Sequence, residues 1–432
     1  MSAVAPACDA AFPPRHGRAI AAAAIGNALE WYDFSVYILF APYIAAAFFP
    51  GDSPTGALVK ALLAFGIGFV ARPVGAVLIG YFGDVAGRKA ALTLTFGLMA
   101  AGTLIIAVAP TRDAIGAAAP LLILVGRLLQ GLSAGGEIGG AAAFLVEHAP
   151  PGRKARFAAW LQASMALSNI LGALAALAVS RLMPQEELAA WGWRLPFVFG
   201  LAIVPVGLWL RATLGETPEF VAAREREVGH GSILGGLANQ GRNLARGFGI
   251  SVLWGVSVYA LVIFMPVHLQ KALGFSAAEV FVAALVGNLA LIGMSFVSGS
   301  LADRIGRRRL MGLSAVALLI ASPLLMLVLV AVRGVPMLML VQTCLCMLVG
   351  LYSGAVPTIL AELFPTRVRS TAISLAYNGA ITIFAGFAPA IITGLSATVI
   401  GPQAPALYVS LAAVAALAAI RTLPDDVGTT AE

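Results

Sequence analysis

Charged residues are scarce in this chain. Asp, Glu, Lys and Arg together make up 11% of its 432 residues, whereas about 25% is usual for a soluble domain. Apolar residues reach 60% and are spread along the whole length. This composition excludes an ordinary soluble enzyme or binding domain and indicates a membrane protein.

Cysteine and histidine are also scarce, which bears on metal sites, disulfides and catalysis. Cys344 and Cys346 occupy alternate positions of an apolar stretch and Cys8 lies near the N-terminus, so we expect neither a disulfide nor a metal site. No two of the four histidines have the spacing of metal ligands: His16, His148, His230 and His268. With no nucleophile–base pair and no metal cluster, we expect neither an enzyme nor a bound cofactor.

The chain has instead a series of apolar stretches, each long enough to cross a bilayer as a helix of roughly 20 residues. Twelve such stretches fall near residues 19–48, 57–81, 90–110, 118–146, 155–180, 193–213, 245–269, 277–300, 310–332, 336–361, 370–396 and 403–421. We therefore predict an all-α membrane protein with twelve transmembrane helices. Because the number of spans is even, both termini should lie on the same side of the membrane.

The formal net charge of +7 fits this topology. Of the 27 lysines and arginines, 19 lie on the side of the termini, six lie on the opposite side and two, Arg72 and Arg127, lie within spans. Positive residues concentrate on the cytoplasmic side of membrane proteins. Both termini are therefore expected in the cytoplasm. The lipid bilayer is an expected partner and nucleic acid is not.

The chain also repeats itself. Asp84-Val85-Ala86-Gly87-Arg88-Lys89 recurs as Asp303-Arg304-Ile305-Gly306-Arg307-Arg308, 219 residues later, and Glu147 matches Glu362 at an offset of 215. Because both offsets are close to half the length, we predict two pseudo-symmetric six-helix halves with a cytoplasmic linker. The predicted units are 1–213, 214–242 and 243–432. Repeated halves are typical of secondary transporters, which bind substrate between them.

The repeated charges indicate a conformational gate. In the Asp-containing loops, an acidic residue precedes a glycine, which permits a tight turn, and then basic residues. Such an acid can approach basic side chains or helix N-termini where the halves meet on the cytoplasmic side. The candidates for this gate are Asp84, Arg88, Glu147, Asp303, Arg307 and Glu362. Loops that serve topology alone are the alternative.

Ionisable side chains at membrane depth are costly and are candidates for function. In the first span, Asn27, Glu30, Asp33 and Tyr37 are spaced by three, three and four residues, so they share one helix face. The alternative is that the two acids pair with basic residues only to hold the bundle together.

Two arginines and a row of glycines lie in neighbouring spans. Span two contains Arg72, which is either a second anion contact or a structural partner of span one, and span four contains Arg127. Gly131, Gly135 and Gly139 recur at every fourth position of span four, a spacing that lets another helix approach closely.

The C-terminal half holds almost no charge within its spans. We therefore expect ion chemistry in the N-terminal half and neutral contacts from the C-terminal half. The predicted substrate contacts are Asn27, Tyr37, Arg72, Arg127, Gln162, Asn169, Tyr377 and Asn378.

These motifs resemble those of the major facilitator superfamily. Residues 80–89 are similar to its hallmark loop between spans two and three, and residues 126–131 are similar to its span-four motif. Within the superfamily, Gly26-Asn27-Ala28-Leu29-Glu30-Trp31-Tyr32-Asp33-Phe34 and Arg72-Pro73-Val74-Gly75 resemble the metabolite:proton symporter family. The resemblance implies the major facilitator fold.

Members of that family move citrate, other di- and tricarboxylates, oxoglutarate, shikimate, or proline and betaine together with protons. The resemblance therefore implies a proton-coupled symporter that imports a small organic acid by alternating access, in a bacterial inner membrane. It implies that Asp33 takes the proton and that Arg127 is its partner, while Glu30 is expected to assist. Arg127 would keep Asp33 ionised until substrate competes for it, since a nearby cation stabilises a carboxylate. A monomer is expected.

Two other functions are open. A proline- or betaine-type osmolyte would be held by an aromatic cage, for which Trp31, Tyr32 and Tyr37 are available. A membrane-embedded enzyme or a non-transporting sensor belongs to a different class. The former would need a catalytic cluster and the latter a substantial soluble domain.

Overall fold

A computed structural model describes most of the chain. It covers residues 27–28, 30–49, 53–86, 88–135, 138, 141–142, 145–146, 149, 153–212, 239–365 and 368–424. Within these residues the chain is helical and contains no strand. Most of the predicted linker lies outside them.

Twelve helical rods are described, as the apolar stretches predict. The N-terminal six are α1 (Glu30–Leu39 with Ala41–Phe48), α2 (Pro54–Ala86), α3 (Arg88–Val108), α4 (Ala118–Ala134), α5 (Lys154–Leu182) and α6 (Leu195–Ala212). The C-terminal six are α7 (Gly241–Ile263), α8 (Ala277–Ile305), α9 (Arg307–Ala331), α10 (Val335–Leu363), α11 (Thr371–Ser396) and α12 (Ala404–Arg421).

By length and composition, eight helices in the described part of the chain can cross a membrane, and the bent α1 would be a ninth. Two shorter apolar helices, Thr93–Val108 and Ala118–Ala134, are also present. The chain is thus a multi-pass membrane protein.

Several rods are not continuous α-helices, contrary to the simplest interpretation of the apolar stretches. In α1 the axis turns by 66° between Leu39 and Ala41. Pro42 follows at once, and a proline inside a helix removes a backbone donor and clashes with the preceding turn. Helices α7 and α11 contain π-helical segments at Val258–Ile263 and Ile381–Ala385. π-Helical turns are frequent at functional sites.

Two helix pairs join the halves. Helix α5 packs along α8, and α2 packs along α11. The first pair is close enough that a Cβ added at Gly299 would lie 2.7 Å from the carbonyl oxygen of Ala155. In the second pair, Thr382 donates to the carbonyl of Phe69 at 2.9 Å. The centre of the molecule is therefore enclosed by helices of both halves.

Candidate functional site

The polar stripe of α1 is buried in the centre of the bundle. Asn27, Glu30, Asp33 and Tyr37 are each at most 5% exposed. Asn27 donates to Ser164 of α5 at 2.7 Å, and Tyr37 donates to a carbonyl of α2 at 3.0 Å. The predicted stripe thus becomes a set of contacts from α1 to its neighbours.

Close backbone packing between α2 and α4 positions both buried arginines. A Cβ added at Gly131 would lie 1.7 Å from the carbonyl oxygen of Gly68, and one at Gly135 would lie 2.1 Å from that of Arg72. Only glycine fits at such contacts. The predicted close approach of another helix is confirmed for these two glycines. It places Arg72 and Arg127 on adjoining helix surfaces.

The two guanidinium groups lie against the ring of Phe34. The Cζ atom of Arg72 is 4.7 Å from the centre of that ring, and the Cζ atom of Arg127 is 4.9 Å from it. Phe69 stacks on Arg72 at 4.2 Å, and Phe65 stacks on Arg127 at 4.6 Å. Cation–π contacts of this kind offset part of the cost of burying a cation.

Both guanidinium groups keep nitrogens without a hydrogen-bond acceptor among the described residues. All three Arg72 nitrogens and the Nε and Nη2 atoms of Arg127 are in this state, although both side chains are fully buried. Leaving a buried donor unpaired costs about 1–3 kcal/mol, and more for a charged group. The hydroxyls of Tyr259 and Tyr377 lie within hydrogen-bonding reach of Arg72, and a bound anion would supply the acceptors that the two guanidinium groups still lack.

A hydrogen-bonded chain connects Arg127 to Asp33. Arg127 Nη1 donates to Gln130 Oε1 at 2.6 Å, and Gln130 Nε2 lies 3.4 Å from Asp33 Oδ2. The Thr103 hydroxyl donates to the same carboxylate oxygen and accepts from Gln130 Nε2 at 2.9 Å. The sequence predicted Arg127 as the partner of Asp33, and in the structure Gln130 bridges the two side chains.

Gln130 and Thr103 were missed by the sequence reasoning. A signal for Gln130 existed, because it lies three residues after Arg127 and therefore on the same face of α4. Thr103 carries no such signal, since a threonine in an apolar helix commonly bonds only to its own backbone.

The C-terminal half contributes aromatic side chains to the centre. Tyr259 contacts Trp31 and Phe69, with ring centres 5.6 and 5.4 Å apart. Tyr377 packs on Trp254 at 4.9 Å. Both tyrosines are within electrostatic range of Arg72 and Glu30. Tyr377, a predicted substrate contact, therefore lies next to the pair of buried arginines.

The other predicted contacts make hydrogen bonds between the halves. Gln162 Oε1 accepts from the Trp254 indole at 2.8 Å, Asn169 donates to Asn288 at 3.3 Å, and Asn378 donates to the Gly135 carbonyl at 2.7 Å. Gln162 Nε2 and Asn378 Oδ1 have no partner among the described residues. Their role toward substrate stays a prediction.

The predicted gate is described in its C-terminal copy, at a place we call the seam: Asp303, Arg307, Glu362 and the first residues of α5. Asp303 accepts from the backbone N–H groups of Ala155 and Arg156, each at 3.3 Å, across the boundary between the halves. Arg307 bonds to Asp303 at 3.2 Å and pairs with Glu362. The side chains of Asp84 and Arg88, and the whole of Glu137 and Glu147, lie outside the described residues.

Weakening the seam should slow transport without removing substrate binding. Asp303→Asn removes the charge that faces the N-terminus of α5, where unpaired N–H groups favour an anion. We expect a several-fold lower transport rate, since hydrogen bonds to charged groups contribute roughly 1.5–3 kcal/mol. The substrate dissociation constant should stay within about threefold of wild type. Proteoliposome transport and equilibrium binding measure the two quantities.

Glu279→Gln is the matched control for the seam variant. Glu279 also caps a helix N-terminus, but it caps that of its own helix, α8, at the end opposite Asp303. Loss of binding in folded Asp303→Asn protein would place the seam in the binding site instead.

A cavity of about 230 Å³ lies between the halves at the end opposite the seam. It is bordered by Tyr43 and Gln185 of the N-terminal half and by Lys271 and Phe281 of the C-terminal half. Among the described residues, no group of three or more His, Cys, Asp or Glu lies together as a metal site would require.

Comparison with known proteins places this chain in a family. The model of the family "Sugar (and other) transporter" matches residues 19–239, and that of the Major Facilitator Superfamily matches residues 250–431. The citrate-proton symporter of Klebsiella pneumoniae is 35% identical over 395 residues, covering 91% of this chain and 88% of that protein. The proline/betaine transporter of Escherichia coli K12 is 33% identical over 414 residues, covering 93% and 82%.

The fold has solved counterparts. A proton:xylose symporter of the superfamily, bound to 6-bromo-6-deoxy-D-glucose, superposes with a TM-score of 0.77 at 17% identity, covering 95% of this chain and 96% of that one. The two halves and the helix order are thus those of a known architecture, and the chain belongs to the major facilitator superfamily.

Proposed function

We propose that the protein is a proton-coupled symporter that imports a small organic acid, such as citrate or another di- or tricarboxylate, by alternating access. The observation that carries this proposal is the pair of buried arginines on the Phe34 ring. Together Arg72 and Arg127 place two cations in the buried centre, and in the described part of the chain only Arg127 Nη1 makes a hydrogen bond of good geometry, to Gln130. The Klebsiella relative is named a citrate-proton symporter.

Two guanidinium groups favour a substrate with at least two carboxylates. A guanidinium can bind a carboxylate through two parallel N–H donors, which gives both affinity and orientation. Arg72 and Arg127 come from different helices, so each can bind a separate carboxylate of one substrate. The aromatic rings that stack on them exclude water and strengthen these charge interactions.

Asp33 supplies the proton site in this proposal, with Glu30 assisting. When Asp33 is ionised, Arg127 is held toward it through Gln130. When Asp33 takes a proton, that attraction is lost and Arg127 is available for a substrate carboxylate. Proton and anion then favour each other's binding, as linkage requires, and both cross when the halves rearrange.

A zwitterionic osmolyte is the second candidate, because a proline/betaine transporter is among the relatives. Its cation would need an aromatic cage. Of the aromatic residues predicted for such a cage, Tyr37 stacks on Arg127 at 4.5 Å, Tyr32 donates to the Pro196 carbonyl and Trp31 packs on Tyr259. The cationic centre therefore favours an anion.

Thermal unfolding of the purified protein against a ligand panel tests the substrate class. A ligand at one hundred times its dissociation constant stabilises by about 2.7 kcal/mol. We expect citrate and dicarboxylates to raise the unfolding temperature, and glycine betaine, proline and xylose to leave it unchanged. A shift with betaine alone would establish the osmolyte function instead.

We further propose a bacterial inner-membrane location with a monomeric chain and both termini in the cytoplasm. The 19-to-6 distribution of lysine and arginine supports this orientation. Reporters active only in the cytoplasm, fused after Glu432 or inserted within 220–230, should be active. Activity of a periplasmic reporter at either position would overturn the orientation.

A further inference from the structure

The hydroxyl of Thr103 has two alternative acceptors. Thr103 is 1% exposed on α3. Its oxygen bonds to Asp33 Oδ2 of α1 and lies 3.0 Å from the carbonyl oxygen of Met99, one turn earlier in its own helix. A hydroxyl carries one proton and two lone pairs, so it donates to one acceptor at a time. The geometry therefore offers this proton two positions.

We infer that Thr103 is a two-position switch that serves both protonation states of Asp33. With Asp33 ionised, the Thr103 hydroxyl donates to Oδ2. With a proton bound to Oδ2, the carboxylic acid donates to the Thr103 oxygen, and the threonine proton turns to the Met99 carbonyl. No heavy atom of Asp33 or Thr103 has to move, and neither the Thr103 hydroxyl nor the proton on Asp33 is left without an acceptor.

Gln130 completes the switch and connects it to Arg127. Its Nε2 donates to the Thr103 oxygen at 2.9 Å, and the second lone pair of that oxygen remains for the protonated acid. Its Oε1 accepts from Arg127 at 2.6 Å. Proton binding removes the negative charge at the Asp33 end of this hydrogen-bonded chain, and Arg127, the cation proposed to bind substrate, lies at its other end.

The surroundings of Asp33 contain few other titratable groups among the described residues. Arg127 faces it from α4, Tyr32 lies beside it on α1, and Glu30 lies one turn earlier on the same face of α1. From α6 it meets Gly200, where an added Cβ would be 3.0 Å from Oδ1. The uncharged Thr103 is thus its nearest partner from α3. This assignment makes Thr103 a positioning residue, and it rests on the proposed proton-coupled function.

Three threonine variants test the switch in proteoliposomes. Thr103→Val keeps the shape of the side chain but removes the hydroxyl, whereas Thr103→Ser keeps the hydroxyl. Thr393→Val is the matched control, because Thr393 makes the same bond to the carbonyl four residues earlier, Pro389, at 2.7 Å, without facing a carboxylate. If the Thr103→Val protein cannot be reconstituted, Thr103→Ala takes its place.

The readouts are proton-driven accumulation, substrate exchange and their dependence on external pH. For Thr103→Val we expect accumulation to fall about tenfold and exchange to fall less. The pH of half-maximal uptake should move roughly one unit to the alkaline side, since the ionised carboxylate loses a charge-assisted bond. Thr103→Ser and Thr393→Val should match wild type.

An unchanged pH profile and accumulation in Thr103→Val would overturn the inference, as would a serine variant that behaves like the valine variant. These failures can be told apart from failure of the proposed function. If Asp33→Asn still accumulates substrate with normal proton dependence, the coupling site itself is wrong. If Asp33→Asn fails while Thr103→Val is normal, only the switch is wrong.

Discussion

Asp33→Asn should abolish uphill uptake driven by a pH gradient and leave substrate exchange largely intact. Asparagine resembles the protonated carboxylic acid in shape and charge, so the variant stays in the proton-loaded form. It cannot release a proton, and the internal substrate concentration should no longer exceed the external one. Exchange of labelled for unlabelled substrate needs no proton release and should persist.

Proteoliposomes loaded with unlabelled substrate separate these two activities. Asp113→Asn is the matched control, because Asp113 is exposed in a short helix between α3 and α4. In Asp33→Asn, Thr103 and Gln130 both keep the new side-chain amide as a hydrogen-bond partner, so the variant should fold. Its unfolding temperature should be checked first. If Asp33→Asn still concentrates substrate with normal proton dependence, the coupling candidate becomes Glu30 or Glu137, an acid of the predicted span four.

Arg127→Gln should damage both uptake and exchange by weakening substrate binding. Truncating one partner of a buried, hydrogen-bonded charge pair costs about 2–5 kcal/mol, which is roughly a thirtyfold or greater rise in the dissociation constant. Arg72→Gln should have a comparable effect if each arginine binds its own carboxylate. Arg72→Lys should lose less, because it keeps the charge but not the planar fork.

Equilibrium binding of labelled citrate to the purified variants measures this loss. Arg333→Gln removes an exposed cation between α9 and α10 and serves as the control. Dissociation constants within threefold of wild type for both folded glutamine variants would remove the arginine pair from the site. Since each change alters a charge at membrane depth, circular dichroism and size exclusion must first show a folded protein.

Much of the architecture could be predicted from the sequence because it depends on local patterns. A stretch of about 20 apolar residues predicts a spanning helix wherever it occurs. Gly131 and Gly135 predict a close helix contact, and the structure places α2 there. The same patterns cannot show the 66° bend of α1, since a proline near a helix end is compatible with a straight span or a bent one.

The candidate site was predicted less completely because hydrogen-bond partners are set by tertiary packing. Arg127 and Asp33 were recognisable as charges in apolar spans, but Thr103 is an uncharged residue 70 positions from the acid it contacts. Gln162 and Asn169 were recognisable as polar residues of span five, but the sequence could not show that Gln162 accepts from Trp254, or that Asn169 accepts from Ser35 and donates to Asn288. A sequence shows which polar groups are present and leaves their choice of partner to the fold.

Accumulation of labelled citrate in proteoliposomes tests the central claim most directly. An inward proton gradient is imposed, and internal citrate is followed with and without a protonophore and with unlabelled competitors outside. Proton-coupled import of an organic acid predicts an internal concentration several-fold above the external one, lost with the protonophore and reduced by dicarboxylates but not by glycine betaine. Accumulation of glycine betaine but not citrate, or citrate uptake indifferent to the protonophore, would contradict it.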